Sequence, residues 1–206
     1  SAQVHQYPDA LTSALFPRAL TPEVYRRTIE QVRQNLAPLH RYLALKKKLL
    51  KLDTFRYEDI YASAVNARDW SFPYPQAQEL IRSALQPLGK DYQKLLHQAF
   101  SQGWIDLYPN LGKQTGAYSS GLYGVHPFIK MNYDGQYGAV STLAHELGHA
   151  MHSQLSDTHL HPAQADYPIF LAEIASTFNE HLLTRHLLKQ EKDPLFRLFL
   201  LDRYME

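Results

Sequence analysis

Two histidines separated by three residues, in the run His145-Glu146-Leu147-Gly148-His149, constrain this chain more than any other feature. Residues four apart stand on one face of an α-helix, one turn apart, so both imidazoles reach a single point when the segment is helical. The flanking sequence meets that demand. Val140, Leu143, Leu147 and Met151 form an apolar stripe at helical spacing and leave a separate side for the histidines. The pattern therefore predicts a helix over residues 139–155. Imidazole nitrogens are zinc donors, and the glutamate beside them is placed to take a proton from a water, which is why H-E-x-x-H marks metal-assisted hydrolysis. The chain has eleven histidines, and its own His and Glu frequencies give roughly a 2 to 3% chance of one fortuitous match. The rest of the site must decide.

A hydrolytic zinc ion takes a third protein ligand and keeps a fourth position open. One arrangement places a third histidine six residues after the second, with glycine at the third place between; here those places hold Leu155 and His152, which excludes it. The other takes a glutamate from a following helix. Glu173 lies in such a run, predicted helical over 169–188 and mostly apolar around it, and a carboxylate facing a core needs a partner such as a cation. By helical phase Ser176, Thr177 and Glu180 share its face, whereas His181 falls to the flank and His186 to the far side. Glu180 is read either as orienting His145 or His149 through a ring N–H, or as a solvated surface acid. His152 lies on the metal-facing side, with a hydrogen-bonding role within the site or ordinary packing as the two readings. His159 and His161 are expected in the loop between the helices.

Elsewhere the periodicity is mostly helical. Thr21-Pro22-Glu23 starts a helix, and Tyr25, Ile29, Val32, Leu36, Leu39 and Leu43 carry it to about residue 52 with a kink near 34–37 imposed by Pro38. A short helix is expected near 58–64. Helical spacing returns over 77–85 and 91–100, broken at Pro87-Leu88-Gly89. From Trp104 glycines alternate with tyrosines and β-branched residues, which predicts strands at 116–120 and 128–133, the second closed by Asp134-Gly135. Residues 194–206 read helical and stop without a terminating Gly or Pro, as a chain ending within an element would. The expected fold is mainly α with a small β-sheet or hairpin: a helical scaffold at 1–103, then a zinc-binding catalytic region at 104–206, truncated at its C-terminal end.

Composition narrows the functions. The absence of cysteine excludes thiol catalysis, disulfides and Cys-ligated metals and fits a reducing compartment, so a cytoplasmic location is expected. A net charge of +1 with mixed signs gives a nucleic-acid partner no electrostatic support. Neither an apolar stretch of about 18 residues nor a basic-then-apolar start is present, so no membrane partner is expected. Oligomeric state is not legible.

Thr142-Leu143-Ala144-His145-Glu146-Leu147-Gly148-His149-Ala150-Met151-His152-Ser153, followed by Ala172-Glu173-Ile174-Ala175-Ser176-Thr177-Phe178-Asn179-Glu180, resembles the oligoendopeptidase F group of the thimet oligopeptidase family of zinc metallopeptidases. The similarity takes in Trp104-Ile105-Asp106, Gly112-Lys113, Gly116-Ala117-Tyr118-Ser119 and Pro127-Phe128-Ile129-Lys130-Met131-Asn132-Tyr133, and extends loosely to residues 22–52. It implies a zincin-like, largely helical peptidase with a small sheet beside a channel for short unfolded oligopeptides, and one zinc ion on His145, His149 and Glu173. It also implies a later segment, supplying a histidine and tyrosines to the substrate carbonyl, that has no counterpart before Glu206. The expected reaction is hydrolysis of internal peptide bonds with Glu146 as general base, weak or absent in this piece alone. The stretch from Gly116 to Tyr133 offers either a strand edge to an extended peptide or plain hairpin packing, with Tyr118 and His126 as candidate substrate contacts. The alternatives are a non-catalytic zinc-binding structural domain and a helical interaction module with an accidental motif.

Overall fold

Prolines and glycines set most of the element boundaries. The computed structural model describes residues 2–65 and 70–205. In chain order the α-helices are Ala10–Leu15 (α1), Pro22–Gln34 (α2), Ala37–Leu49 (α3), Tyr74–Ala84 (α4), Lys90–Ser101 (α5), Tyr137–His159 (α6), Pro162–Ala165 (α7), Ile169–Gln190 (α8) and Pro194–Met205 (α9). Three strands, Ile105–Asp106 (β1), Tyr118–Leu122 (β2) and Val125–Lys130 (β3), stand between α5 and α6.

Pro22 opens α2, where the Thr21 hydroxyl accepts the Val24 N–H at 3.3 Å. The single kinked helix expected from residue 22 to 52 is instead two helices. Asn35 ends α2 by donating its backbone N–H to Gln31 and Val32, and Pro38, within the first turn of α3, cannot donate to the Gln34 carbonyl and crowds it. The short helix expected near 58–64 is a 3-10 helix, Tyr57–Tyr61.

Compactness divides the chain elsewhere than the change of composition at residue 104. One unit takes in residues 1–67 with 193–206, the other residues 68–192. Within the first, Lys46 is buried on α3 and donates to the Ile60 carbonyl at 2.7 Å, while Asp202 of α9 accepts from Tyr42 and from the Ala64 backbone N–H.

The second unit holds the sheet, ordered β1-β3-β2, with β1 parallel and β2 antiparallel to β3. Both predicted strands are displaced: the hairpin turns at Tyr123-Gly124, where Gly124 takes φ +82, and Asp134-Gly135 serves as the entry to α6. There the Asp134 carboxylate accepts the Gln136 N–H and the Gly135 carbonyl accepts the Phe72 N–H. The backbone N–H groups of Ile129 and Met131 donate to Trp104 and Asp106 on the β1 side. The partner of Ile129 across the hairpin, Ser119, therefore turns its own N–H and C=O away from β3, and β2 is an edge strand of the sheet. Alternate residues of β3, Pro127 and Ile129, are buried on the side that α6 covers, while His126, Phe128 and Lys130 face away. Helix α6 lies between the sheet and α8, which explains why Val140, Leu143, Ala144, Leu147, Gly148, Ala150 and Met151 are all buried on it. Ile81 of α4, Leu85 just after it and Leu96 of α5, with Leu183 and Leu187 from α8, complete this core. Among the described residues no helix is long and apolar enough to cross a membrane.

Candidate metal centre

The antiparallel pair α6 and α8 brings three donor atoms together. His145 Nε2 and His149 Nε2 are 3.1 Å apart, and Glu173 Oε2 lies 3.3 Å from the first and 3.4 Å from the second. A tetrahedral zinc ion with N and O ligands at about 2.0–2.1 Å has ligand–ligand edges of about 3.3 Å, so this triangle has the size of one tetrahedral face. The donor chemistry agrees. His145 Nδ1 stands 3.0 Å from Glu180 Oε1, and a proton held between them leaves the Nε2 lone pair toward the triangle. His149 is oriented through the Ala172 backbone. Two imidazole lone pairs and a carboxylate oxygen at these distances repel one another unless a proton or a cation lies between them. His145, His149 and Glu173 are the one His/Cys/Asp/Glu group among the described residues with such convergent geometry.

The environments split the titrations. The hydrogen bond to Glu180 raises the His145 pKa, with burial opposing it, whereas burial lowers that of His149. Burial also pushes Glu146 up, chiefly against the attraction of His145, and the Ser119 backbone N–H supports the charged form. Glu146 is 6% exposed, and its Oε2 is buried without a hydrogen-bond partner among the described residues. A largely buried carboxyl on the residue next to His145, close enough to feel the charges of His145 and Glu173, is suited to accept a proton from a water held at the donor triangle.

Two residues to which the sequence alone assigns no role shape this geometry. A Cβ on Gly148 would lie 2.5 Å from Ser176 Cα and 2.7 Å from the Ala175 carbonyl oxygen, so the glycine lets the α8 backbone approach α6 between the two turns that carry ligands. Ser176 is fully buried and donates its hydroxyl to Glu173 Oε2 at 2.8 Å and to the Glu173 carbonyl at 3.1 Å, which holds the carboxylate toward the histidines. The i, i+3 spacing of Glu173 and Ser176 was the available signal for the serine; the close approach at Gly148 is a tertiary contact with no local signature.

The remaining candidates divide. Glu180 pairs with His145, not His149. His152 makes no hydrogen bond within the site: its ring stacks on Tyr167 at 3.8 Å and 13°, its Nδ1 is buried without a partner among the described residues, and Tyr167 instead bonds Ser153. Helix α6 carries His152 a turn past His149, toward the segment preceding α8. His159 is not in the loop but closes α6, which runs four residues beyond the expected end at 155, and its Nδ1 bonds the Leu155 carbonyl. His161 caps α7 by accepting the Ala163 N–H. Tyr118 and His126 lie on the sheet face turned away from α6: Lys130 Nζ sits 5.7 Å from the Tyr118 ring, and His126 stacks on Trp104 at 5.0 Å and 2°. What β2 presents toward Glu146 is the Ser119 backbone rather than either side chain.

Fold and donor set define a mainly helical protein whose His–His–Glu group is shared by two packed helices beside a small sheet. The sequence profile of peptidase family M3, a metallopeptidase family, matches residues 1–198, and the chain belongs to that family. It is 38% identical over 205 residues to oligopeptidase PepF of Bacillus subtilis, covering all of this chain and 31% of the relative. It is 38% identical over 206 residues to the chromosomal oligoendopeptidase F of Lactococcus lactis subsp. cremoris, covering 34% of that protein. Among solved structures, oligoendopeptidase-F from Enterococcus faecium superposes with a TM-score of 0.63 at 28% identity, over 98% of this chain and 28% of that one. A crystal structure from Chlamydophila abortus gives a TM-score of 0.85 at 39% identity, over 98% of this chain and 34% of that chain. The chain thus spans about a third of the length of these relatives.

Proposed function

We propose that this chain carries the zinc site of an endopeptidase that hydrolyses internal bonds of short, unfolded peptides, with His145, His149 and Glu173 as ligands and Glu146 as general base. The observation that carries the reading is the tetrahedral-face triangle of His145, His149 and Glu173, with Glu146 next to His145 on the same turn of α6. A zinc ion held there supplies Lewis acidity, polarising a carbonyl and bringing the pKa of a water toward neutrality.

The chain's own residues do the rest. Glu180 keeps the His145 Nδ1 proton in place, and Ser176 keeps Glu173 turned toward the imidazoles. Glu146 takes the proton of the attacking water on its carboxylate; as the water oxygen bonds to the scissile carbon and the C–N bond breaks, the same carboxyl returns the proton to the departing amine nitrogen. The raised Glu146 pKa suits both halves of that exchange. The outer edge of β2, where the Ser119 C=O faces away from β3, offers an extended peptide a strand to pair with, reading backbone before side chains, which favours unfolded substrates. The relatives named oligopeptidase and oligoendopeptidase support the substrate class.

The test pairs metal content with cleavage of an internally quenched peptide, the latter at the full length of the relatives. Wild type and Glu146→Gln each hold one zinc, and only wild type cleaves. Absence of stoichiometric zinc from the wild type overturns the proposal.

A further inference from the structure

Asn179 is nearly fully buried on α8, and both ends of its amide are used. Its Nδ2 donates to the Ala144 carbonyl of α6 at 3.0 Å, and its Oδ1 accepts from the Tyr92 hydroxyl of α5 at 3.0 Å. Tyr92 is buried enough that its pKa is pushed up to about 12, so the phenol keeps the proton it donates. That donor fixes which way the amide faces: with Oδ1 committed to Tyr92, the NH2 group is directed at Ala144. The Ala144 carbonyl is also where the Gly148 N–H of the helix belongs, so the amide adds a second donor to an oxygen with two lone pairs.

The place of this contact matters more than its strength. Ala144 directly precedes His145, as Gly148 directly precedes His149. The close approach of Gly148 to Ala175 and Ser176 sets how near the two helices come. A small-residue contact does little to stop one helix from sliding or rolling along the other, whereas a directional bond one turn away does. On α8, Asn179 is followed by Glu180, the partner of His145.

We infer that Asn179, held by Tyr92, is a positioning residue that fixes the register of α8 on α6 and thereby the dimensions of the His145–His149–Glu173 triangle. Asn179 touches none of the three donors in the bonds described, and acts through the backbone of the turn that carries His145. The inference rests on the zinc reading above. It sets a different test for the chain: not whether zinc binds, but whether its affinity and coordination geometry depend on an amide outside the site.

Asn179→Asp replaces the NH2 with an oxygen of almost the same size, which opposes the Ala144 carbonyl while still accepting from Tyr92. Tyr92→Phe removes one neutral hydrogen bond and leaves the amide in place. The full chain of each variant is titrated with zinc against a chromophoric chelator, loaded with Co(II) for its visible absorption spectrum, and melted without metal. The expected result is a zinc Kd weakened about 10- to 100-fold in Asn179→Asp, the range typical of residues that orient metal ligands, with altered cobalt bands well below the melting temperature. Tyr92→Phe shifts the Kd the same way by about fivefold. A purely structural role lowers the melting temperature and leaves Kd and cobalt bands at wild-type values; that outcome overturns the inference. If Asn179→Asp does not fold, Tyr92→Phe decides alone, an unchanged Kd and spectrum counting against. Failure of the wild type itself to bind zinc strikes the zinc reading instead.

Discussion

Gly148→Ala is the substitution for which the structure gives the most definite outcome. Judged by intrinsic preference it stabilises α6, since alanine is favoured over glycine within a helix by about 1 kcal/mol. Packing says otherwise. The added carbon falls 2.5 Å from Ser176 Cα and 2.8 Å from the Ala175 carbonyl carbon, where ordinary contact begins at 3.4 Å. Both are backbone atoms, so no side chain can swing aside, and the α8 backbone must retreat by about 0.9 Å at that point, the difference between 3.4 and 2.5 Å. Overpacking of this kind costs about 1 to 3 kcal/mol, which leaves the metal-free protein destabilised by up to about 2 kcal/mol after the helical gain. Zinc binding suffers more, because ligand distances tolerate about 0.2 Å and Glu173 rides on the displaced segment. A loss of affinity on the order of 100-fold is expected, about 2.7 kcal/mol. Chelator competition gives the affinity and thermal melts with and without zinc give both stabilities. A variant that melts higher than wild type and binds zinc within about threefold of it would refute the close-approach reasoning.

Three further outcomes follow from the same geometry. Ser176→Ala removes the donor to Glu173 Oε2 and should weaken zinc about tenfold while lowering metal-free stability by about 1 kcal/mol, read by the same titration and melt. Glu180→Gln removes the partner that raises the His145 pKa; a raised folded value contributes stability that is complete below the ordinary 6.5 and fades as pH climbs through the folded value, so the melting deficit of this variant without metal should narrow from pH 5.5 to pH 8.5. A deficit that widens over that range contradicts the assignment. Tyr118→Ala and His126→Ala alter the outer face of the sheet and should leave zinc affinity unchanged in the titration.

Much of the site was legible because its signals are local. H-E-x-x-H states a helical phase by itself, the apolar stripe through Leu143 and Leu147 gives that helix an inside, and counting by 100° from Glu173 brings Ser176 and Glu180 onto one side of α8. Phase could not tell Glu180 from a surface acid, nor choose between the two histidines for it, because that depends on how α8 crosses α6. The same limit hid the meaning of Gly148 and Asn179, which are an ordinary helix interior glycine and an ordinary polar residue until the facing backbone is known. In the scaffold Pro38 on its own predicts a kink, and the break at Asn35 reflects what its missing N–H and ring do at Gln34. The strands were displaced because Tyr123-Gly124 is a less conspicuous turn than Asp134-Gly135, which turned out to guide the chain into α6. β1, two residues long, exists only by pairing with β3.

Zinc K-edge X-ray absorption on the purified chain loaded with one equivalent of zinc is the most direct examination of the whole scheme. The account predicts a four-coordinate ion with two imidazole nitrogens and two oxygens, one from Glu173, at about 2.0–2.1 Å, and loss of one imidazole contribution in His149→Ala. A zinc ion that is six-coordinate with oxygen alone, or a spectrum unaltered by that substitution, would contradict it.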